Sequence, residues 1–272
     1  MSESAPAWDA ESKKGVTGPL LLNSFVATVD DLAIYNDSKV IVDMPLRRSP
    51  SYTYKAFKGL TLPERVLDAA RRGVVIRANR DVASSNETDA ERLRRVLTDF
   101  VNEHQLPLGS DMEAATTPEL WHAAQPLLPW ARTLSDPSLR DFASALWKIW
   151  PTLLRQARPE VRVSPQRFTL LPVPFPFMVP GVRFREGYYW DSYFVIQGLL
   201  AGGATATAQN QVLNMADLIQ RYGHMPNGLR TYYLNRSQPP IFCLSVRAVF
   251  TALGGKFENP KDAGGVVEAF AG

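Results

Sequence analysis

Two segments of the sequence are dense in side chains that can contact a polar ligand. The first segment, residues 180–193, holds two arginines, two carboxylates, three tyrosines and a tryptophan within fourteen positions. The second segment, residues 223–240, is likewise rich in amide, guanidinium and aromatic groups. Composition alone is equally typical of a ligand site and of a buried polar network that ties helix ends together.

This mixture of side chains suits a carbohydrate. A sugar ring has apolar C–H faces that stack on aromatic rings, and its hydroxyls both donate and accept hydrogen bonds. A carboxylate or a guanidinium fork can bind two neighbouring hydroxyls, and each charged hydrogen bond contributes about 1.5–3 kcal/mol. Because the chain contains two such segments and not one, we favour a ligand site over a buried network.

The composition excludes several other classes of protein. Of the 272 residues 45% are hydrophobic and 21% charged, and the net charge is only +3, which excludes a disordered polyelectrolyte. The arginines of residues 71–95 alternate with Asp and Glu, so we expect no nucleic-acid partner. A single cysteine, Cys243, excludes an internal disulfide, and we expect it to be a core residue. The three histidines are few and dispersed, so we predict no metal site.

The periodicity predicts a mostly helical chain. Apolar residues at three- and four-residue steps predict helices over 20–33, 88–104, 193–200, 205–222 and 241–253. Asp136-Pro137 is a strong helix start. The helix behind it is expected to turn its apolar residues toward a core, namely Leu139, Phe142, Ala143, Leu146, Ile149, Trp150, Leu153 and Leu154. Four prolines make residues 169–184 an extended segment.

The two segments also resemble a known family. Residues 180–193, PGVRFREGYYWDSY, closely resemble the first signature of the trehalases, which hydrolyse α,α-trehalose with inversion. Residues 223–240 resemble the family's next characteristic block, and residues 36–39 and 42–46 resemble its N-terminal DSK and VDMPL elements. Long motifs in the correct order are far more specific than one short motif.

The resemblance implies an enzyme, a trehalase-type glycosidase without a cofactor, whose substrate partner is trehalose. It implies an all-α fold, an incomplete (α/α)6 toroid of antiparallel helical hairpins with long functional loops. Residues 1–18 would be a flexible N-terminal tail and residues 19–272 the N-terminal part of the catalytic domain. The family's catalytic acid and base belong to later motifs, so we assign no catalytic residue here.

The resemblance also implies which residues bind the sugar. Trp190 would stack on a glucose ring and Asp191 would bind its hydroxyls, with hydrogen bonds from the other positions. The full expected set is Arg183, Trp190, Asp191, Asn227, Arg236 and Gln238. Glu186 could equally anchor Arg185. The family usually has a second glycine where this chain has Val182, and a positive φ there would strain a valine.

Two alternatives to an active hydrolase stay open: a catalytically silent sugar-binding remnant or truncated gene product, and a helical scaffold without a ligand. Because a partial toroid leaves an apolar edge exposed, we expect self-association through surfaces that include Met178, Val249 and Phe250. No run is apolar enough for a membrane span. The first eighteen residues lack the apolar stretch of a signal peptide, which favours a cytoplasmic location.

Overall fold

The structure is a computed structural model that describes residues 23–60, 89–121 and 129–255. The chain divides into two compact units. The first comprises the chain up to Asp111 together with Arg158–Leu170, and the second comprises Met112–Ala157 together with the chain from Leu171 onward. The predicted tail, residues 1–18, lies outside the described residues.

Helices dominate the described residues, as the periodicity predicts. In chain order the elements are α1 Asn23–Asp31, α2 Lys39–Asp43, α3 Pro50–Lys58, α4 Asp89–His104, β1 Met112–Ala114, α5 Pro118–Trp121, α6 Pro137–Leu153, β2 Leu154–Ala157, α7 Pro159–Val163, β3 Phe177–Met178, α8 Tyr189–Ala201, α9 Thr205–Tyr222 and α10 Phe242–Ala252. Short 3-10 turns occur at Pro129–Thr133, Pro165–Arg167 and Thr231–Tyr233.

The first unit has an aromatic core. The ring of Phe25 on α1 lies edge-on to Phe57, at 5.3 Å, and to Phe100 on α4, at 5.2 Å. Along α4, Leu93 and Leu97 are buried with Phe100. The predicted helix is therefore confirmed, and these apolar residues lie on its buried face. The start of the predicted helix over 20–33 lies outside the described residues.

The second unit contains a small antiparallel sheet of order β1-β2-β3. Glu113 pairs with Gln156, and Leu154 pairs with Met178. The all-α prediction is therefore too narrow, since the fold is mostly helical with a small sheet. The strands have four residues or fewer, too short to show the alternating pattern by which a sequence reveals a strand.

Helices α8, α9 and α10 pack against one another and carry the ends of both polar segments. The short turn from α8 to α9 makes these helices neighbours, as in an antiparallel hairpin. At the end of α9 the chain reverses through Gly223, whose φ of 77° requires a residue that tolerates the left-handed region. The second segment begins at this glycine.

Helix α6 corrects the prediction of which face is buried. Its start is confirmed, since the Asp136 carboxylate accepts a hydrogen bond of 2.8 Å from the backbone N–H of Ser138. Trp147 is buried, but four residues expected in the core are exposed, namely Leu139, Phe142, Leu146 and Ile149. The helix is apolar on more than one face, and periodicity does not reveal which face meets the rest of the chain.

Three other predictions of exposure or burial, for Met178, Val249 and Cys243, are also wrong. Met178 and Val249 are buried, whereas Phe250 is exposed as expected. Cys243, expected in the core, is exposed. Helix α10 buries the face of Ser245 and Val249, and a residue two positions before Ser245 points to the other side of a 3.6-residue helix.

Candidate functional site

The two polar segments are hydrogen-bonded to each other through their backbones. Tyr188 and Gly228 form an isolated antiparallel bridge. The backbone N–H of Leu229 donates to the carbonyl of Gly187 at 3.0 Å, and that of Tyr189 donates to the carbonyl of Asn227 at 3.1 Å. Trp190 of the first segment and Asn227 of the second are 37 positions apart in the sequence. The backbone hydrogen bonds nevertheless place the two segments side by side in the fold.

Glycine at position 228 makes this close approach sterically feasible. A Cβ atom there would lie 3.1 Å from the rings of both Tyr188 and Tyr233, and 3.2 Å from the carbonyl oxygen of Gly187. Carbon atoms normally pack at about 3.5–4.0 Å. A side chain at this position would require the two rings and the Gly187 carbonyl to shift by a few tenths of an ångström.

Hydrogen bonds also link the predicted sugar-binding residues. The backbone N–H of Trp190 donates to the side-chain Oε1 of Gln238 at 2.8 Å. Within the second segment, the backbone N–H of Asn227 donates to the carbonyl of Arg236 at 3.0 Å. Because Tyr189 binds Asn227, these contacts bring Trp190, Asn227, Arg236 and Gln238 into one connected group.

Trp190 and Asp191 lie in the first turn of α8. Trp190 is 39% exposed, and its ring lies edge-on to Phe194 at 5.8 Å, so one large aromatic surface remains open to a ligand. Asp191 is half-buried. The free N–H groups and the dipole at a helix start favour a carboxylate in this position.

The two predicted arginines, Arg183 and Arg236, each lie over an aromatic ring. The guanidinium carbon of Arg183 is 4.7 Å from the ring centre of Phe184, and that of Arg236 is 4.9 Å from the ring centre of Tyr233. Both side chains are exposed. A guanidinium over an aromatic ring is attracted to it by a cation–π interaction.

The loop that carries Arg183 is not strained at the position where the chain departs from the family signature. Ala33 is the one non-glycine residue with a positive φ among residues 23–60, 89–121 and 129–255. Val182 therefore has ordinary backbone angles, and its side chain is 84% exposed. A glycine is not required here.

The two segments also contain a buried polar network, the alternative to a ligand site that their composition left open. Glu186 and Arg230 are both fully buried, and Oε2 of Glu186 lies 3.4 Å from Nε of Arg230. The hydroxyl of Tyr188 donates a hydrogen bond to Glu186 and lies 3.0 Å from the hydroxyl of Tyr233. The expectation that Glu186 might anchor Arg185 is therefore replaced by a pair that joins the two segments.

The electrostatics of this network follow from its burial. Loss of water, and then the negative charge of Glu186, raise the pKa of the Tyr188 hydroxyl well above its usual range. The phenol therefore stays protonated as a donor to the carboxylate. The sequence contained one signal for the network, because each segment holds charged residues of opposite sign. It did not indicate which of these residues pair.

Metal-binding clusters and membrane-spanning helices are both absent from the part of the chain that the structure describes. They contain no group of three or more His, Cys, Asp or Glu side chains arranged to hold a metal ion. No helix in residues 23–60, 89–121 or 129–255 combines the length and apolarity that a membrane crossing requires.

Comparison with known proteins gives a consistent result. The family model described as trehalase matches residues 33–263. The trehalase of Oryctolagus cuniculus is 38% identical over 211 residues, which cover 78% of this chain and 32% of that protein. The trehalase of Bombyx mori is 34% identical, covering 85% of this chain and 35% of that protein.

Other similarities are more local. The periplasmic trehalase of Xanthomonas campestris pv. campestris is 50% identical over 111 residues, 41% of this chain and 18% of that protein. Among solved structures, neutral trehalase from Saccharomyces cerevisiae is 40% identical over 35% of this chain and 17% of that chain, with a TM-score of 0.30. The chain spans about a third of the length of the curated relatives that match most of it.

Proposed function

This chain belongs to the trehalase family, and on that premise we propose that its two polar segments bind one glucose unit of α,α-trehalose in an inverting glycoside hydrolase. The proposal concerns substrate binding. It assigns the contacts to Arg183, Trp190, Asp191, Asn227, Arg236 and Gln238.

One observation carries the proposal: the 2.8 Å hydrogen bond from the backbone of Trp190 to the side chain of Gln238. It holds the Gln238 amide at the backbone of Trp190, a residue with an exposed ring, although the two residues come from different segments. The neighbouring carboxylate of Asp191 adds a charged acceptor for hydroxyls. An aromatic face bordered by an amide and a carboxylate is what a glucose ring requires.

The arginines extend this arrangement. Arg183 and Arg236 are exposed, and each guanidinium lies over an aromatic ring of its own segment. A fork of this kind can donate to two adjacent sugar hydroxyls. We propose that they bind the rim of the glucose unit while Trp190 covers its face.

The buried network of Glu186, Arg230 and Tyr188 argues against a catalytic role for Glu186. Inverting hydrolysis needs a carboxylic acid and a carboxylate about 6.5–9.5 Å apart, one on each side of the scissile bond. Glu186 is fully buried and paired with Arg230, so it cannot reach a sugar. We propose that Asp191 binds substrate and that the acid and base belong to the part of the relatives that this chain does not span.

We propose the toroid on similar grounds. The described helices include the α8–α9 pair joined by a short turn, which suits one hairpin of an (α/α)6 ring. In such a ring the connections between helices form the active site, and both polar segments are connections that flank α8, α9 and α10. The position of the two segments beside this hairpin supports the proposal.

Calorimetric titration with trehalose tests this function. We expect saturable heat with one site per chain, and no heat with sorbitol, an open-chain polyol that lacks a ring face. We also expect no glucose release from trehalose by this chain alone. Absence of trehalose binding would contradict the proposal, whereas binding together with robust glucose release would overturn the assignment of the catalytic groups.

A further inference from the structure

Three aromatic rings, here called the ring row, lead from one polar segment to the other: Phe184, Tyr188 and Tyr233. The ring of Tyr188 lies edge-on to that of Phe184, with 5.5 Å between ring centres, and to that of Tyr233, with 5.6 Å. Aromatic pairs in this geometry attract each other beyond the effect of burying their area. The first two rings belong to the first segment and the third to the second, so the ring row joins the segments through side chains.

The two arginines of the candidate sugar site lie at the two ends of the ring row. The guanidinium of Arg183 lies over the ring of Phe184, and that of Arg236 lies over the ring of Tyr233. The backbone N–H of Arg236 donates to the carbonyl of Tyr233 at 3.2 Å, and this turn brings the arginine back toward the ring. Each arginine therefore lies on a ring that is itself packed against Tyr188.

Tyr188 is the buried centre of the ring row. It is 6% exposed, its hydroxyl donates a hydrogen bond to Glu186, and that hydroxyl lies 3.0 Å from the hydroxyl of Tyr233. The backbone of Gly228 lies close to both tyrosine rings, since a Cβ atom there would be 3.1 Å from each. The central ring is thus held by a hydrogen bond as well as by packing.

We propose that Tyr188 is a positioning residue of the sugar site, which orders the guanidinium groups of Arg183 and Arg236 before a ligand binds. It acts through the rings of Phe184 and Tyr233. The role in affinity rests on the proposed binding of glucose by these arginines, whereas the ordering is a property of the free protein. An arginine that is ordered in advance loses less rotamer freedom when a ligand fixes it, and this favours binding.

The ring row predicts that the two arginines respond together. If each guanidinium depended only on the ring beneath it, a change at Tyr188 would leave both unaffected, because Phe184 and Tyr233 would remain. If the row acts as one unit, loss of its centre releases both end rings, since closely packed side chains transmit such changes. A joint response of Arg183 and Arg236 therefore distinguishes positioning by Tyr188 from local stacking.

NMR of the arginine side-chain Nε–H groups in the free 272-residue chain tests the proposal without any ligand. We expect Tyr188→Leu to lower the order parameters of Arg183 and Arg236 together, by about 0.2 or more, which is the difference between a rigid and a flexible group. The matched control is Tyr222→Leu, which removes the ring that lies 5.1 Å from the guanidinium carbon of Arg221 in α9. It should leave the signals of Arg183 and Arg236 unchanged.

A milder variant keeps the proposal testable if loss of the buried ring unfolds the chain. Tyr188→Phe keeps the ring and removes the hydroxyl that donates to Glu186. We expect a smaller drop in order parameter, again at both Arg183 and Arg236. The backbone amide spectrum of each variant shows whether it is folded.

Calorimetric titration with trehalose measures the effect on affinity. Tyr188→Phe should weaken binding about two- to tenfold, the range expected for one lost hydrogen bond. Arg236→Lys removes the guanidinium and keeps the charge. If Tyr188 acts through this arginine, the double variant should bind about threefold or more tightly than the product of the two single losses predicts. A purely structural role of Tyr188 would make the two losses multiply.

Three NMR results would overturn the proposal: unchanged order at both arginines in folded Tyr188 variants, a loss of order at only one of them, or a loss that includes Arg221 to the same extent. The last would show a general loosening of the fold. Failure of the wild type to bind trehalose would contradict the proposed function instead, because the ordering of Arg183 and Arg236 is measured in the free protein.

Discussion

Glu186 and Arg230 form an ion pair between the two polar segments, with 3.4 Å between Oε2 and Nε and with neither side chain accessible to solvent. They stand 44 positions apart in the sequence. Burial makes such a pair a poor source of net stability but a strong constraint, because either charge alone in this place is very unfavourable. The pair therefore keeps the two segments in one register.

Replacing one partner of this pair should destabilise the fold strongly. Glu186→Gln leaves the buried guanidinium of Arg230 without its counter-charge, and we expect a loss of about 3–5 kcal/mol in the free energy of unfolding. Urea denaturation at a fixed protein concentration measures it. The control is Glu103→Gln on the exposed face of α4, expected to change stability by about 0.5 kcal/mol or less. A small effect of Glu186→Gln would show that the pair is not formed.

Stability should also depend on pH through Tyr188. Its pKa in the folded state lies above the usual value of 10.0, so the unfolded chain loses this proton first as the pH rises. The stability contributed by the protonated phenol is therefore complete below about pH 10 and declines above it, by up to about 1.4 kcal/mol per pH unit.

The matched variant is Tyr188→Phe, which cannot ionise. The difference in unfolding free energy between the wild type and this variant should be constant from pH 7 to 9 and shift against the wild type above pH 10. Groups that the substitution does not touch contribute equally to both proteins and cancel. A difference that does not change between pH 9 and 11 would contradict the assigned pKa shift.

The packing of α6 on α8 gives a third prediction. Gly202 directly follows the last residue of α8, and Gly202→Ala would place a methyl group 1.9 Å from the ring of Trp147. We expect thermal denaturation to show a net loss of about 1–3 kcal/mol from overpacking. Gly198→Ala should behave in the same way.

Two variants complete this test. Gly59→Ala at the end of α3, where the nearest heavy atom would be at 3.4 Å, should cause no comparable loss. Trp150→Phe removes the ring atoms closest to position 198, so it should reduce the cost of Gly198→Ala when the two changes are combined. Additive costs would show that the indole does not lie on this glycine.

The helices that the sequence predicts best are those with one apolar and one charged face. In α4 the charges of Glu91, Arg92 and Arg95 leave a single face for burial, and that face is the buried one. Helix α6 has no such contrast, since Trp147 and Phe142 are equally apolar although one is buried and the other exposed. Which face is covered depends on the glycines of α8, which are distant in sequence.

The candidate site, like the helices, could be predicted from the sequence only in part. The residue types of the two segments indicate a ligand site, and the family resemblance aligns six positions with sugar contacts. The pairing of Glu186 with Arg230, and of Trp190 with Gln238, depends on the register between segments. That register follows from the backbone bridge at Tyr188 and Gly228, which local periodicity does not encode.

The hydrogen bond from Trp190 to Gln238 leads to a prediction about ligand affinity. Gln238→Met removes the acceptor while keeping the side-chain length, and should weaken trehalose binding about two- to tenfold, because a hydrogen bond contributes about 0.5–1.5 kcal/mol. Gln238→Glu keeps an acceptor for the backbone N–H and should lose less. Calorimetry measures both, and equal affinities in all three proteins would show that this bond does not order the site.

The most direct test of the account is an NMR titration of the tryptophan indole N–H signals with trehalose. We expect the Trp190 signal to shift in a saturable way, with Trp147 and Trp150 unaffected, and we expect Asp191→Ala to abolish the shift. Trp190 unmoved at saturating trehalose, or shifts confined to the tryptophans of α6, would contradict the claim that the two polar segments bind the sugar.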